Sequence, residues 1–142
     1  MSDGEQQTLC TIRETTVPHP PLKILIIDDN LSFAQALAKL LRRDGATVDM
    51  ADNGQRALAH LQARSYDVLL CDLRMPALSG PEFYALLREQ YPHLLHRVIF
   101  LTGDTLGAES TAFLAQCKQL WLPKPLTGAQ VRCAVQHVCT PQ

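Results

Sequence analysis

The sequence predicts an α/β fold, a doubly wound parallel five-stranded sheet with helices on both faces, and three observations predict it. Five short apolar runs alternate with five helical patterns from residue 23 onward. Three of those runs are almost continuously apolar, as parallel strands covered on both faces are. The 142 residues suit one domain of ordinary size, without room for a second catalytic one.

The first 22 residues, MSDGEQQTLCTIRETTVPHPPL, are polar and end in V-P-H-P-P, which favours extended backbone over helix. They are expected to form a flexible tail or linker, with Thr8 to Ile12 long enough for a short strand at most. The domain is expected over residues 23–139, and residues 140–142 as a C-terminal tail. The first strand is the run 23–28 within "KILIIDDN". After it, Phe33, Ala36, Leu37, Leu40 and Leu41 recur at helical spacing opposite Gln35, Lys39, Arg42 and Arg43, with Asn30 or Ser32 as cap. Arg42 and Arg43 read as ordinary surface charges of that helix.

A second strand, 46–51, leads through Asn53-Gly54 to a helix carrying Ala57, Leu58 and Leu61. The third strand, 67–71, precedes Gly80-Pro81, where proline suits a first helical turn, and then Phe83, Leu86 and Leu87. The fourth strand is 97–101, followed by a weaker, alanine-rich helix over 106–117. The fifth is 119–122, and Thr127 starts a last helix with Val131, Ala134, Val135 and Val138 on one face. Right-handed crossovers between parallel strands place helices on both sides and gather function at the carboxyl ends of the strands.

Composition narrows the function. The chain is 46% hydrophobic and 19% charged with net charge −1, and its pI is near 6.5, which disfavours a basic nucleic-acid binder. The cysteines Cys10, Cys71, Cys117, Cys133 and Cys139 are odd in number and scattered, without C-x-x-C, so they read as reduced thiols. A secretory leader pattern is absent, and no apolar stretch approaches the roughly 20 residues of a membrane span. A cytoplasmic location is the expectation.

Asp28 and Asp29 end the first strand and Asp72 follows the third. Neighbouring strand ends at the switch point bring the three carboxylates into one pocket, where they would repel and desolvation would push at least one toward protonation. Hard oxygen donors in such a group suit Mg²⁺. The fourth strand supplies Thr102 in "RVIFLTGD", followed by Gly103, which leaves the approach open; the fifth supplies Lys124 in "LWLPKPL". An oxygen nucleophile, a metal site, a hydroxyl and an ammonium are the parts of a phosphoryl-transfer site.

With D-D after the first strand, D-x-x-M-P-x-x-x-G after the third, T-G after the fourth and K-P after the fifth, the chain resembles a response-regulator receiver domain of two-component signalling. The resemblance covers residue 23 to about residue 138. It implies the flavodoxin-like, CheY-like (βα)5 arrangement with strand order 2-1-3-4-5. It implies Asp72 as phospho-acceptor, Asp29 as a direct Mg²⁺ ligand, Asp28 acting largely through water, and the backbone carbonyl of Arg74 as a further ligand. Thr102 and Lys124 would hold phosphoryl oxygens, Lys124 through a cis Lys124-Pro125 peptide. Met75, Pro76 and Gly80 would shape the loop after the acceptor, and Trp121 would be the aromatic switch residue coupled to Thr102.

A receiver of this kind takes its phosphoryl group from a histidine kinase or histidine phosphotransfer protein, in cis or in trans, and catalyses its own phosphorylation and dephosphorylation. Its output is a changed protein-interaction surface. "RVIFLTGDT" and "FLAQCKQLWLPKPL" resemble receivers at the C-terminal ends of hybrid histidine kinases more than those preceding DNA-binding domains. Nucleic acid and membrane are not expected partners of this segment.

Blander readings stand beside these. Arg74 and Asp104 are placed to pair across the pocket mouth and hinder an attacking water, but an exposed ion pair worth about 0 to 1 kcal/mol explains them as well. Cys133, His137 and Cys139 lie close in sequence, yet Cys133 and His137 alone share a face and no fourth ligand is evident for zinc. His93 and His96 read as surface groups, Cys71 as a packing residue on the side of the strand opposite Asp72, and Trp121 has a static aromatic as its alternative. Rival functions are a receiver-like interaction module that works without phosphorylation, a flavodoxin-type electron carrier, and an aspartyl phosphatase. Asp28-Asp29 would repel a flavin phosphate, and the phosphatase pattern is D-x-D with its nucleophile after the first strand.

Overall fold

The computed structural model describes residues 21–75, 78–103 and 108–139. Five strands, β1 (Lys23–Ile27), β2 (Thr47–Ala51), β3 (Val68–Asp72), β4 (Val98–Thr102) and β5 (Trp121–Pro123), form one all-parallel sheet in the order β2-β1-β3-β4-β5. The helices are α1 (Leu31–Arg43), α2 (Gly54–Ala63), α3 (Gly80–Gln90), α4 (Ala108–Cys117) and α5 (Gly128–Cys139). This is the predicted fold class and strand order. The expectation for residues 8–12 lies outside the described residues, as do Asp104 and Pro76.

Period-2 alternation along the strands divides the interior into two cores. Leu25, Ile27, Leu69, Cys71, Val98 and Phe100 face α2, α3 and α4 through Ala57, Leu61, Phe83, Leu87 and Leu114. Ile24, Ile26, Val68, Leu70, Ile99 and Leu101 face α1 and α5 through Leu37, Leu41, Val131 and Val135. Each such Leu, Ile or Phe contributes about 1.5–3 kcal/mol by leaving water, and together they explain why β3 and β4 read as unbroken apolar runs. Both are buried at all five residues.

Local chemistry sets the helix starts. Asn30, rather than Ser32, caps α1, its side chain accepting the backbone N–H of Phe33. Ser79 and Glu82 form a reciprocal capping box at α3, with Pro81 in the first turn. Thr127 and Gln130 exchange the equivalent pair of bonds at α5. At the far end of α1, Arg42 is more than a surface charge: it donates to the Val48 carbonyl at 2.7 Å and ties the helix to β2.

Several features differ from the sequence expectation: β1 stops at Ile27 rather than 28, β2 starts at Thr47 rather than 46, and β5 spans Trp121–Pro123 rather than 119–122, since ladder pairing sets these bounds. The connection after α3 forms a 3-10 helix, Pro92–Arg97, which buries Leu94 and leaves His93 and His96 exposed. Strands β3 and β4 extend to Asp72 and Thr102, one residue beyond the expected ends at 71 and 101, because ladder pairing with neighbouring strands continues to those residues. The two polar residues are therefore the last rungs of buried strands.

Candidate functional site

Strand register assembles the site. Ile27 pairs with Cys71, so the residues that follow, Asp28 and Asp72, emerge side by side where strand order reverses. Asp72 pairs with Leu101 and Thr102 with Pro123, and the Lys124 N–H donates to the Thr102 carbonyl at 2.7 Å. Four strand ends thus converge on one point.

The carboxylates have unequal surroundings. Asp28 is buried, with Oδ1 accepting the Asn30 N–H at 2.9 Å and Oδ2 accepting Lys124 Nζ at 2.7 Å. Asp29, the next residue along, is exposed. Asp72 is buried and has Lys124 Nζ 3.7 Å from Oδ1. Burial and the neighbouring Asp28 charge push the Asp72 carboxyl up from 3.8 to about 6; Lys124 and the Arg74 backbone N–H oppose this, and Asp29 adds to it. One oxygen from each of Asp28, Asp29 and Asp72 lies within 4.8 Å of the others. An oxygen-only donor set that close, with one member driven toward protonation by burial and by its acidic neighbours, fits a hard divalent cation.

Thr102 supplies a second mark of an incomplete pocket. Its hydroxyl oxygen is buried and has no hydrogen-bond partner among the described residues, a state that costs about 1–3 kcal/mol unless something arrives to pair with it. A Cβ built at Gly103 would meet nothing within 4 Å among the described residues. At Gly80 the reverse holds. A Cβ there would lie 2.9 Å from the Leu73 Cα and 3.2 Å from the Asp72 carbonyl oxygen, so glycine lets the start of α3 press against the chain after Asp72. The Lys124-Pro125 peptide is cis.

Of the site residues singled out from the sequence, Asp28, Asp29, Asp72, Thr102 and Lys124 come together at these strand ends, whereas Met75 packs against the core under α2, α3 and α4 and Trp121 lies on the sheet edge. That side chain sits on edge strand β5 and is 38% exposed. Arg74 is exposed at the mouth, while its suggested partner Asp104 lies outside the described residues. Cys71 is fully buried on the opposite side of β3 from Asp72, as alternation requires. Among the described residues, Cys133, His137 and Cys139 do not come together with a further ligand as a metal-holding group, whereas Asp28, Asp29 and Asp72 do.

Sequence reasoning missed one neighbour. The Phe33 ring lies under Lys124, with Nζ 4.4 Å from its centroid, although Phe33 belongs to the ordinary apolar stripe of α1. Nothing local marks it. The contact arises because α1 and the segment after β5 meet across 91 residues of chain.

Comparison with known proteins adds an independent line. The family model for the response regulator receiver domain matches residues 24–136. A response regulator receiver protein of Anaeromyxobacter sp. is 40% identical over 111 residues, covering 77% of this chain and 45% of that protein. Hybrid signal transduction histidine kinase K of Dictyostelium discoideum is 28% identical over 131 residues, 87% of this chain and 11% of the kinase. The crystal structure of a response regulator receiver domain protein from Clostridium thermocellum superimposes with a TM-score of 0.71 at 32% identity, covering 83% of this chain and 94% of that one. The chain spans less than half the length of these two curated relatives.

Proposed function

The chain belongs to the response regulator receiver domain family of two-component signalling, and from that premise we propose that it accepts a phosphoryl group on Asp72 from a phosphohistidine. The observation that carries this reading is the meeting of Asp72 with a lysine ammonium, two further carboxylates and a buried hydroxyl that has no hydrogen-bond partner among the described residues, at one set of strand ends. Asp28, Asp29, Asp72 and the backbone carbonyl of Arg74 would hold Mg²⁺. When bound, the ion supplies positive charge that offsets the crowded carboxylate and phosphoryl oxygens.

This chain's own residues do the rest. An Asp72 carboxylate oxygen attacks phosphorus in line, the P–O bond forms as the P–N bond to the imidazole breaks, and the imidazole leaves with the electron pair and takes up a proton. Lys124, already 3.7 Å from Asp72, turns toward the incoming phosphoryl oxygens and stabilises the charge that spreads over them. The Thr102 hydroxyl, which has no partner among the described residues, then donates to a phosphoryl oxygen. Its inward movement opens space for Trp121 to leave its exposed position and repack, changing the face made by α4, β5 and α5.

The donor in this reading is a cytoplasmic histidine kinase or phosphotransfer protein. It acts in cis if the chain is part of a hybrid kinase, as the similarity to hybrid kinase K suggests, or in trans. Among the described residues no helix is long and apolar enough to cross a membrane.

The test is to incubate the protein with a small acyl phosphate and Mg²⁺ and to map the product by intact and peptide mass spectrometry. One phosphoryl group on Asp72, absent from Asp72→Asn and after chelation, is the expected result. A label on another residue, or an unlabelled protein that still binds its partner, overturns it in favour of an interaction module. Trp121 is the chain's one tryptophan, so its fluorescence reports the switch directly.

A further inference from the structure

Lys124 has to keep its ammonium within reach of Asp72 while a closer carboxylate competes for it. Its Nζ stands 2.7 Å from Asp28 and 3.7 Å from Asp72. A lysine head is a compact, strongly hydrated charge on a flexible stem, and this one is one-fifth exposed, so a third contact is needed to shut water from its outer side. That contact is Phe33, whose ring face lies 4.4 Å from Nζ, within the range where the ring quadrupole attracts a cation. Phe33 is itself held, packed among the apolar residues shared by α1 and α5. Phe33 and Lys124 both line a cleft of about 560 Å³ whose walls also include Leu37, Leu40, Leu126 and Val131, so solvent approaches Lys124 from this side and the ring takes up part of that approach.

We propose that Phe33 is a positioning residue for the phosphoryl-transfer reaction: its ring face holds the Lys124 ammonium, partly dehydrated, between Asp28 and Asp72. The inference rests on the receiver reading of the site. Phe33 touches neither phosphorus nor the acceptor oxygen; it acts through Lys124. With the ring in place, the ammonium exchanges one carboxylate oxygen for phosphoryl oxygens by a small swing, without first shedding water. With an aliphatic residue there, the apolar wall remains but the cation loses its ring and gains hydration, and the transferring charge meets a weaker electrostatic partner.

The shape of the wall and the quadrupole of the ring separate in experiment. Phe33 is replaced site-specifically by 4-fluoro-, 3,5-difluoro- and pentafluorophenylalanine, which keep the ring's form while draining its negative face, and by leucine and tryptophan through ordinary mutagenesis. Initial rates of Asp72 labelling by a small acyl phosphate are measured in each, with thermal stability alongside. The rate should fall stepwise with fluorination, by roughly 3- to 10-fold at the pentafluoro ring and in Phe33→Leu, and return toward the parent value in Phe33→Trp. A flat fluorination series in a protein labelled at Asp72, or a Phe33→Leu variant as fast as the parent, shows a packing role alone and overturns the proposal. Parent protein that takes no label at Asp72 overturns the receiver reading instead, so the two failures are told apart.

Discussion

Lys124 lies closer to Asp28 than to Asp72, at 2.7 Å against 3.7 Å. The closer carboxylate has a fully buried side chain, so the ammonium neutralises the charge that can least tolerate being alone, and Asp72 receives the weaker share. Burial and the neighbouring Asp28 charge displace Asp72 toward protonation, and Lys124 at 3.7 Å offsets only part of this. Four predictions follow from this unequal division and from the pocket around it.

Removing the ammonium should cost stability in metal-free protein. Lys124→Met removes the charge and leaves the Asp28 side chain buried with the Asn30 N–H as its remaining bond among the described residues. Breaking a buried pair from one side costs about 3–5 kcal/mol, and partial solvent access at Lys124 reduces this to about 2–3 kcal/mol at neutral pH. Denaturant titration with a chelator present measures it. A loss under about 0.5 kcal/mol would mean the pair is screened like a surface contact.

Asp72→Asn should have the opposite effect, with a characteristic pH dependence. The Asp72 carboxyl is raised from its ordinary 3.8 to about 6 in the folded state. The fold therefore holds that proton more tightly than the unfolded chain, and the stability linked to it is fully present below about pH 3.8 and lost as pH rises through about 6. At pH 7.5 without metal, the ionised carboxylate burdens the fold by about 2–3 kcal/mol, which asparagine avoids. The variant should be more stable than the parent by that order at pH 7.5, with the gap closing toward pH 4. A pH-independent difference would contradict the assignment of the displaced group.

Thr102→Val tests the orphan hydroxyl. Valine keeps the β-branched shape in a buried strand and removes an oxygen with no partner among the described residues, so the unphosphorylated protein should gain about 1 kcal/mol. The same variant should lose the Trp121 fluorescence change on phosphorylation, since no hydroxyl remains to move. Greater stability together with a silent tryptophan is the expected pair of results. A destabilised Thr102→Val would mean that the hydroxyl is already bonded.

Gly80→Ala probes the contact behind the acceptor. The new Cβ would stand 2.9 Å from the Leu73 Cα and 3.2 Å from the Asp72 carbonyl oxygen, backbone atoms that yield only by moving the chain. Overpacking of this kind costs about 1–3 kcal/mol, and the shift should also slow Asp72 labelling. Gly54→Ala makes a control, because its close neighbour is the end of the flexible Leu78 side chain at 2.6 Å. It should cost less and leave labelling unaffected.

Much of this site was legible in the chain because its carriers sit at strand ends, and strand ends are marked by abrupt changes from apolar runs to Asp28-Asp29, Asp72, Thr102 and Lys124. The parallel fold was legible for the same reason: runs apolar on both faces must be covered on both faces. The 3-10 helix of Pro92–Arg97 was not, since six residues of mixed character carry no period long enough to read.

What the sequence alone determined is the identity and order of the groups at the carboxyl edge, because backbone periodicity and crossover handedness leave few other places for them. What the tertiary structure decided is how those groups divide their charges. Only the packed chain puts Lys124 nearer Asp28 than Asp72, leaves the Thr102 hydroxyl without a partner among the described residues, and brings the Phe33 ring beneath the ammonium. These outcomes turn on separations of about 1 Å between residues far apart in the chain, where Coulombic and cation–π terms change steeply and local patterns carry no information.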